Sequence, residues 1–413
     1  MHKKILIIQM IICCLLFAAC KNIESDDALV DNRDVYENVK DNAENNVVDE
    51  PAEVIVIDDS LASLSFDGIS TYYNVDEKYK PLVDAMDSSC NLNETLTYLE
   101  ELEGVFVLAT DDEIIYASFL NTYEVDGVTP ISMNTTYEIG SITKQFVAVA
   151  ILQLIENGEL AFDDTLDLFF PEYEYGKNIT VENLLLMQSG IPDYINDMDQ
   201  FFQDATDDAM MKIQNDSYTD EEFILQLSKN ELLFEPGSDV MYSNTNYHLL
   251  ALIIEQVTGK TYSEYISTMI FEPCEMTNSS CQTVGDVTGK SESVSTMLYF
   301  TQQNFARGCM DMHSCARDIL NFEIALLNNE LLSDEMTSYI FDMGIGDYKC
   351  GWIKTDEGEY FHTGSTLVYG TSVNVYMTEE WGNLYLLQFH PTKNNSSYMQ
   401  TMINNISDSV HNM

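Results

Sequence analysis

The chain has 413 residues with 69 acidic and 18 basic side chains, a formal net charge of −51, and 45% hydrophobic residues. Such a composition supports a large core, and the length allows one large domain or a few small ones. The charge excludes nucleic-acid binding through a basic face and indicates a solvated acidic surface that keeps an exported protein soluble, with a cationic partner as the alternative.

The first twenty residues have the build of a secretory signal peptide. A basic start at residues 2–4 precedes the apolar run Ile5–Phe17, which is short for a membrane span. Ala18 and Ala19 then precede Cys20, an arrangement that resembles the lipobox of bacterial lipoproteins. The resemblance implies a lipid on Cys20 and an extracytoplasmic protein held to the cell membrane by that anchor alone. An ordinary cleaved signal peptide at residues 1–20 is the alternative.

Residues 21–61 are predicted to form a disordered acidic tether. Residues 21–59 hold thirteen acidic and three basic residues with few large apolar ones. Segments of this kind repel themselves and bury too little apolar surface to fold. The folded domain is therefore expected over residues 62–413.

Strands open this domain and helices follow. The segment Leu102–Tyr116 reads as two strands around a turn at Asp111 and Asp112. Lys144–Asn157 has apolar residues at helical spacing, and Gly158 ends the predicted helix. Residues 195–230 are acidic and rich in Met, with two helical stretches, and we interpret them as an insertion or a lid.

The second half changes from helices back to strands. Helices are predicted over Asn246–Val257, Cys315–Leu327 and, at the end, Ser397–Asp408. The intervening sequence predicts two hairpins, formed by Trp352–Lys354 with Glu359–Phe361 and by Ser372–Met377 with Leu384–Phe389. The expected fold class is α+β, an antiparallel sheet built from both chain ends around a mostly helical middle.

Six of the nine cysteines lie beyond the first twenty residues: Cys90, Cys274, Cys281, Cys309, Cys315 and Cys350. An even number in an exported chain is compatible with disulfides, and the spacings 274/281 and 309/315 suggest local loops, although connectivity stays open. The chain has six His and neither a C-x-x-C nor an H-E-x-x-H motif, so no metal site is expected. His248, His313 and His390 are interpreted as structural.

The first chemical motif is Ser141-x-x-Lys144, placed where the predicted helix begins. Residues three apart share a helix face, so the ammonium can reach the hydroxyl. A serine hydroxyl is a weak nucleophile that needs a base or a positive charge beside it, and a helix N-terminus adds N–H groups suited to an oxyanion. Alone, the motif is better explained by a capping serine at the start of a helix.

Its surroundings resemble a known family. Residues 135–146 (TTYEIGSITKQF), with 156–171 and 179–194, resemble the active-site region of the serine β-lactamase and penicillin-binding-protein superfamily. The closest branch contains class C β-lactamases, D-alanyl-D-alanine carboxypeptidases and esterases. This resemblance implies a β-lactamase/transpeptidase-like fold and a serine hydrolase that forms an acyl-enzyme on a small-molecule or peptide substrate without a cofactor. It makes Ser141 the nucleophile.

Two further motifs follow in the family's order. Tyr242-Ser243-Asn244 supplies a Tyr-x-Asn, which implies that Tyr242 is the general base, with a pKa lowered by Lys144, and that Asn244 orients Lys144 and the substrate amide. These roles come from the resemblance.

The third motif lies on a late strand. His362-Thr363-Gly364-Ser365 corresponds to the family's Lys/His-Thr/Ser-Gly, with Gly364 leaving room for substrate and the Ser365 amide serving with that of Ser141 as oxyanion donors. His362 is expected near Tyr242 or facing a substrate carboxylate. Because a histidine is only partly charged at neutral pH, it favours a carboxypeptidase or esterase over a true β-lactamase. The alternatives are a non-turnover penicillin-binding or sensor-like surface lipoprotein, or a purely structural one.

Overall fold

The computed structural model describes residues 61–66, 69–74, 76–90, 104–120, 124, 129–214, 217–281, 303–366, 369–391 and 396–411. The predicted signal peptide, the lipidated Cys20 and nearly all of the predicted tether lie outside the described residues. Within those ranges, no helix has both the length and the apolar composition that a bilayer crossing requires.

The described strands form a nine-stranded antiparallel sheet and one separate short pair. The sheet runs in the order β1-β2-β4-β3-β11-β10-β9-β8-β7. Its strands are β1 (Leu61–Phe66), β2 (Ile69–Asn74), β3 (Gly104–Ala109), β4 (Ile114–Leu120), β7 (Tyr348–Lys349), β8 (Trp352–Lys354), β9 (Tyr360–Ser365), β10 (Tyr369–Thr378) and β11 (Gly382–Pro391). The separate pair is β5 (Tyr137–Glu138) with β6 (His313–Ser314).

Twelve α-helices occur in the described part of the chain. They are α1 (Lys80–Cys90), α2 (Thr143–Glu156), α3 (Val181–Leu185), α4 (Met198–Phe201), α5 (Asp207–Gln214), α6 (Asp220–Leu227), α7 (Asn244–Thr258), α8 (Tyr262–Ile266), α9 (Gln303–Ala306), α10 (Ala316–Leu327), α11 (Asp334–Asp342) and α12 (Ser396–His411). The predicted α+β class, with strands at both ends and helices between them, is confirmed.

The sheet has an apolar layer on each face because successive strand residues point to opposite sides. In β3, Val105 and Val107 join the large core shared with α2, α7 and α10, whereas Phe106 and Leu108 join a smaller core under α1 and α12. The whole strand is buried, which explains its continuous apolar sequence.

The helix α2 runs through the middle of the large core. Its first twelve residues are all buried, including Lys144. A helix that is apolar nearly all round is stable only when other elements enclose it, so α2 gives the site a rigid base. Gly158, with φ of +75°, follows its end as predicted.

Residues 195–230 form three short helices, α4 to α6, instead of the two predicted stretches. Phe201, Phe223 and Leu227 on these helices are buried in the large core. The Arg307 guanidinium joins the segment to α7, because its Nη1 lies 3.1 Å from Asp220 Oδ2 and 3.0 Å from an oxygen of Glu255. The segment is therefore packed onto the domain in this structure.

The local disulfides suggested by the cysteine spacings are wrong. Five cysteines are buried free thiols: Cys274, Cys281, Cys309, Cys315 and Cys350. They are core side chains, and the Cys309 thiol donates to the carbonyl oxygen of Ala306 at 3.1 Å. Burial raises the pKa of Cys309 to about 12, so this thiol stays protonated and unreactive. The side chain of Cys90 lies outside the described residues.

Candidate active site

A tight turn places Ser141 between the sheet and α2. Gly140 has φ of +52°, a left-handed conformation that favours glycine, and a single 3-10 turn over Gly140–Ile142 leads directly into the helix. The preceding carbonyl, that of Ile139, accepts a hydrogen bond from Thr371 Oγ1 on β10 at 3.0 Å. The serine is thereby fixed against the sheet, and its side chain retains 7% exposure.

The Lys144 ammonium is completely buried and has three acceptors. Its Nζ lies 3.0 Å from Ser141 Oγ, 2.8 Å from Asn244 Oδ1 and 2.7 Å from the carbonyl oxygen of Cys309. Burial lowers the pKa of Lys144 to about 8, although the charge of Asp193 opposes that shift. Lys144 can therefore exchange a proton close to neutral pH.

The Tyr242 hydroxyl completes the contacts of the serine. It donates a hydrogen bond of 2.9 Å to Ser141 Oγ, and its ring centroid lies 5.0 Å from Lys144 Nζ. The expected lowering of its pKa by Lys144 is wrong in direction. Burial raises the pKa of Tyr242 far above its ordinary value, and the bond to Ser141 offsets this only in part. Tyr242 is therefore a neutral phenol in the resting site.

Asn244, the first residue of α7, is held by the carboxylate of Asp193, which belongs to none of the three motifs. Its Nδ2 lies 2.9 Å from Asp193 Oδ2, and its main-chain N lies 3.1 Å from the same oxygen. Asp193 is 2% exposed. Asp193 lies within segment 179–194, which resembles the family, but nothing in that segment indicated that Asp193 bonds Asn244, 51 residues further along the chain.

His362 on β9 is buried beside the site, and its environment makes it neutral. Its Nδ1 lies 2.8 Å from the carbonyl oxygen of Thr363, and its ring centroid lies 6.1 Å from that of Tyr242. Burial, reinforced by the charge of Lys144, lowers the pKa of His362 to about 3. The position of His362 near Tyr242 agrees with the expectation. The expectation that its imidazole is partly charged at neutral pH is wrong.

The rest of the strand motif lies against the serine turn. Thr363 is exposed between the buried His362 and Gly364, as strand alternation requires. A Cβ on Gly140 would stand 2.8 Å from the main-chain N of Ser365, so this amide lies directly beside the turn. The structure thus brings the three predicted motifs together, in an arrangement suited to an oxyanion between the Ser141 and Ser365 amides.

Other polar groups near the site have structural partners. Met187, with φ of 58°, places its Sδ 3.3 Å from the main-chain N of Ser243 and thereby supports the Tyr-x-Asn segment. His248 and His390 are buried, and burial lowers their pKa values to about 3 and 4. His313 is a buried residue of β6. In the described ranges, no group of three or more His, Cys, Asp or Glu side chains is arranged to hold a metal ion.

Comparisons with known proteins give one consistent family. The family model described as Beta-lactamase matches residues 93–396. The chain is 28% identical over 327 residues to a penicillin-binding protein of Bacillus subtilis (strain 168). The aligned region covers 71% of this chain and 70% of that protein.

Solved structures show the same fold. D-amino acid amidase from Ochrobactrum anthropi SV3, in complex with L-phenylalanine amide, is similar with a TM-score of 0.62 and 21% identity, over 80% of this chain and 99% of that one. A D-stereospecific amidohydrolase from Streptomyces sp. is similar with a TM-score of 0.58 and 19% identity, over 79% and 98% of the two chains.

Proposed function

Because this chain belongs to the Beta-lactamase family, we propose that it is a serine hydrolase that forms an acyl-enzyme on Ser141. The observation that carries the proposal is that Ser141 Oγ accepts hydrogen bonds from both Lys144 and Tyr242, at 3.0 and 2.9 Å. A structural capping serine would not need a buried ammonium and a half-buried phenol on one oxygen.

The pKa directions assign the proton steps. The pKa of Lys144 is about 8, so a fraction of it is neutral near pH 7. Neutral Lys144 accepts the Ser141 proton as Ser141 Oγ attacks the carbonyl carbon of the substrate. The C–N or C–O bond to the leaving group then breaks, the Tyr242 phenol gives its proton to that group, and the Lys144 ammonium passes the serine proton to Tyr242, so that both residues return to their neutral forms. Water attacks the acyl-enzyme in the second half-reaction and releases the acid, with the same residues acting in reverse. In this assignment Lys144 takes the proton of Ser141, a role that the family resemblance implied for Tyr242.

The substrate class we propose is an amide or ester, with D-Ala-type peptides included, ahead of β-lactams. A cation strengthens the binding of a carboxylate, and His362 is neutral and buried, so it does not supply one. The exposed Thr363 hydroxyl offers a neutral contact in its place. The amidase and amidohydrolase among the structural relatives act, by their names, on D-configured amides. Esterase- or amidase-like turnover of substrates without a carboxylate is therefore the favoured activity, and carboxypeptidase-like turnover is the variant that would need another contact for the substrate carboxylate.

Covalent labelling tests the proposal. Treatment with a fluorophosphonate should add one phosphonyl group, found by intact-mass spectrometry and mapped to Ser141. Ser141→Ala should abolish the adduct, and the exposed Ser238→Ala should keep it. An unlabelled wild-type protein, beside a labelled control hydrolase, would reject the proposed function. A panel of D-Ala-D-Ala peptides, cephalosporins and short-chain esters would then rank substrates.

A second candidate is a penicillin-binding or sensor-like protein that acylates without turnover. The similarity to a penicillin-binding protein of Bacillus subtilis favours it. The lifetime of the acyl-enzyme separates the two functions. Clearance of a penicillin adduct within minutes indicates an enzyme, and persistence for hours indicates a sensor.

The proposed location is the outer face of the cell membrane, through a lipid on Cys20. The sequence before this cysteine supports it. Metabolic labelling with an alkyne-tagged fatty acid should mark the wild type, and Cys20→Ser should prevent both labelling and membrane retention. A Cys20→Ser protein that stays lipidated would contradict the proposal.

A further inference from the structure

We propose that Asp193 is a positioning residue for acylation, which turns the Asn244 amide so that its oxygen holds Lys144 against Ser141. The inference rests on the proposed function and goes beyond the three motifs of the site. It starts from a buried carboxylate that directly follows Pro192 and is joined by hydrogen bonds to Asn244, the first residue of α7.

The contacts of Asp193 fix its own orientation. Its Oδ1 accepts from the main-chain N of Ile195 at 2.8 Å and from that of Asn196 at 3.0 Å. Its Oδ2 accepts from Asn196 Nδ2 at 2.7 Å and from the main-chain N of Asn244 at 3.1 Å. A carboxylate held by four donors at 2% exposure cannot rotate without losing several bonds.

This fixed carboxylate decides which way the Asn244 amide faces. An ionised carboxylate only accepts hydrogen bonds, and an ammonium only donates them. In the observed orientation Nδ2 faces Asp193 at 2.9 Å and Oδ1 faces Lys144 at 2.8 Å, so both ends are satisfied. The flipped amide would set oxygen against carboxylate and NH2 against ammonium, which is unfavourable at both ends. Asp193 therefore excludes the flipped state.

The consequence reaches the nucleophile through Lys144. With Asn244 Oδ1 and the Cys309 carbonyl as two fixed acceptors, the third N–H direction of Nζ points at Ser141 Oγ. A flipped or mobile Asn244 amide would remove one of these two acceptors, and Lys144 Nζ would no longer be held in position against Ser141 Oγ. The negative charge of Asp193 also stabilises the ammonium form. Other titratable groups with electrostatic influence on Lys144 or ring contact with it are Cys309, Asp311, His362, Tyr242 and Tyr247.

The test compares rates of fluorophosphonate labelling at saturating probe, together with probe affinity, from pH 6 to 10. Asp193→Asn should slow the saturated rate 10- to 100-fold with probe affinity changed less than threefold. Its pH midpoint should move below that of the wild type, because a charge that favours ammonium is lost. Asn230→Ala is the matched control, since Asn230 is a buried amide that bonds the carbonyl oxygens of Phe201 and Gln226 away from Ser141. It should lower stability and leave rate and midpoint of the folded protein unchanged.

The exchanged variant Asp193→Asn with Asn244→Asp should shift the pH midpoint of labelling in the opposite direction. It keeps one carboxylate and one amide in the pair and sets the carboxylate directly on Lys144, so the pH midpoint should rise. This variant also serves if Asp193→Asn alone does not fold. An unmoved midpoint in either folded variant would overturn the role of Asp193. Failure of the wild type to label would instead reject the proposed function, so the two failures are distinguishable.

Discussion

Gly364 lies so close to Ile139 that a Cβ on the glycine would stand 1.8 Å from the Ile139 carbonyl oxygen. The strand β9 therefore touches the turn that carries Ser141, with no room for a side chain at Gly364. The main-chain amide of Ser365 follows immediately. This contact sets the distance between the two halves of the proposed oxyanion site.

Gly364→Ala is expected to push the strand and the turn apart. A displacement of about 1 Å at a reacting geometry costs on the order of 100-fold in rate, so fluorophosphonate labelling of Ser141 should slow by about that factor. Gly358→Ala is the control, because Gly358 lies in the preceding turn with φ of +91° and open space around it. It should cost about 1–2 kcal/mol of stability without slowing the folded protein. Equal labelling rates in the two variants would contradict the close-contact argument.

The rate of Ser141 acylation should rise with pH and level off above a midpoint near the Lys144 pKa of about 8. The sign follows from the proposed step, since neutral Lys144 accepts the serine proton and low pH removes that form. Lys144→Arg should lower the rate at least 100-fold and abolish the midpoint, because the arginine guanidinium stays protonated. A flat profile between pH 6 and 10 in the wild type would show that another group takes the proton.

His362 should remain neutral across the physiological range, because its pKa is lowered to about 3. In a histidine-selective NMR titration, the resonance that disappears in His362→Asn should not move between pH 5 and 8. His411 provides an internal reference, since it is exposed and a hydrogen bond to the carbonyl of Ser407 contributes to raising its pKa. A His362 resonance that titrates near pH 6.5 would restore a cation to the site and favour carboxylate substrates.

Glu323 is expected to make the protein less stable as pH rises. It is buried on α10, and burial raises its pKa to about 8. The folded state binds this proton more tightly than the unfolded state does. Proton binding by Glu323 therefore contributes its full share to the free energy of unfolding below about pH 4.5, and this contribution is lost as the pH rises through 8. In urea denaturation, Glu323→Gln should weaken the pH dependence and raise the free energy of unfolding at pH 8. Glu335→Gln, at an exposed position of α11, should do neither; an unchanged slope in Glu323→Gln would contradict the prediction.

The sequence predicted the fold, and it also indicated the three motifs that the structure brings together, because those signals are local. The helix after Ser141 follows from apolar spacing, and the hairpins around residues 355–358 and 379–381 follow from turn residues between strands. The three motifs each occupy a few consecutive positions.

What the sequence could not supply depends on contacts between distant segments. The Cys309 carbonyl that anchors Lys144 lies 165 residues away and carries no side-chain signal. The raised pKa of Tyr242 and the neutral state of His362 are effects of burial, which exists only after α7 and β9 pack beside α2. The buried free cysteines are missed for the same reason, since sequence spacing does not reveal which thiols enter the core.

The pairing of β3 with β11 has a consequence for the order of events during synthesis. On one edge, residues 105–109 pair with the neighbouring strand β4, but on the other edge they pair with residues 385–389, which lie about 280 residues further along the chain. The ribosome must therefore synthesise the chain through residue 389 before these two strands can pair. Until then neither the large core nor the sheet beside the Ser141 turn is complete.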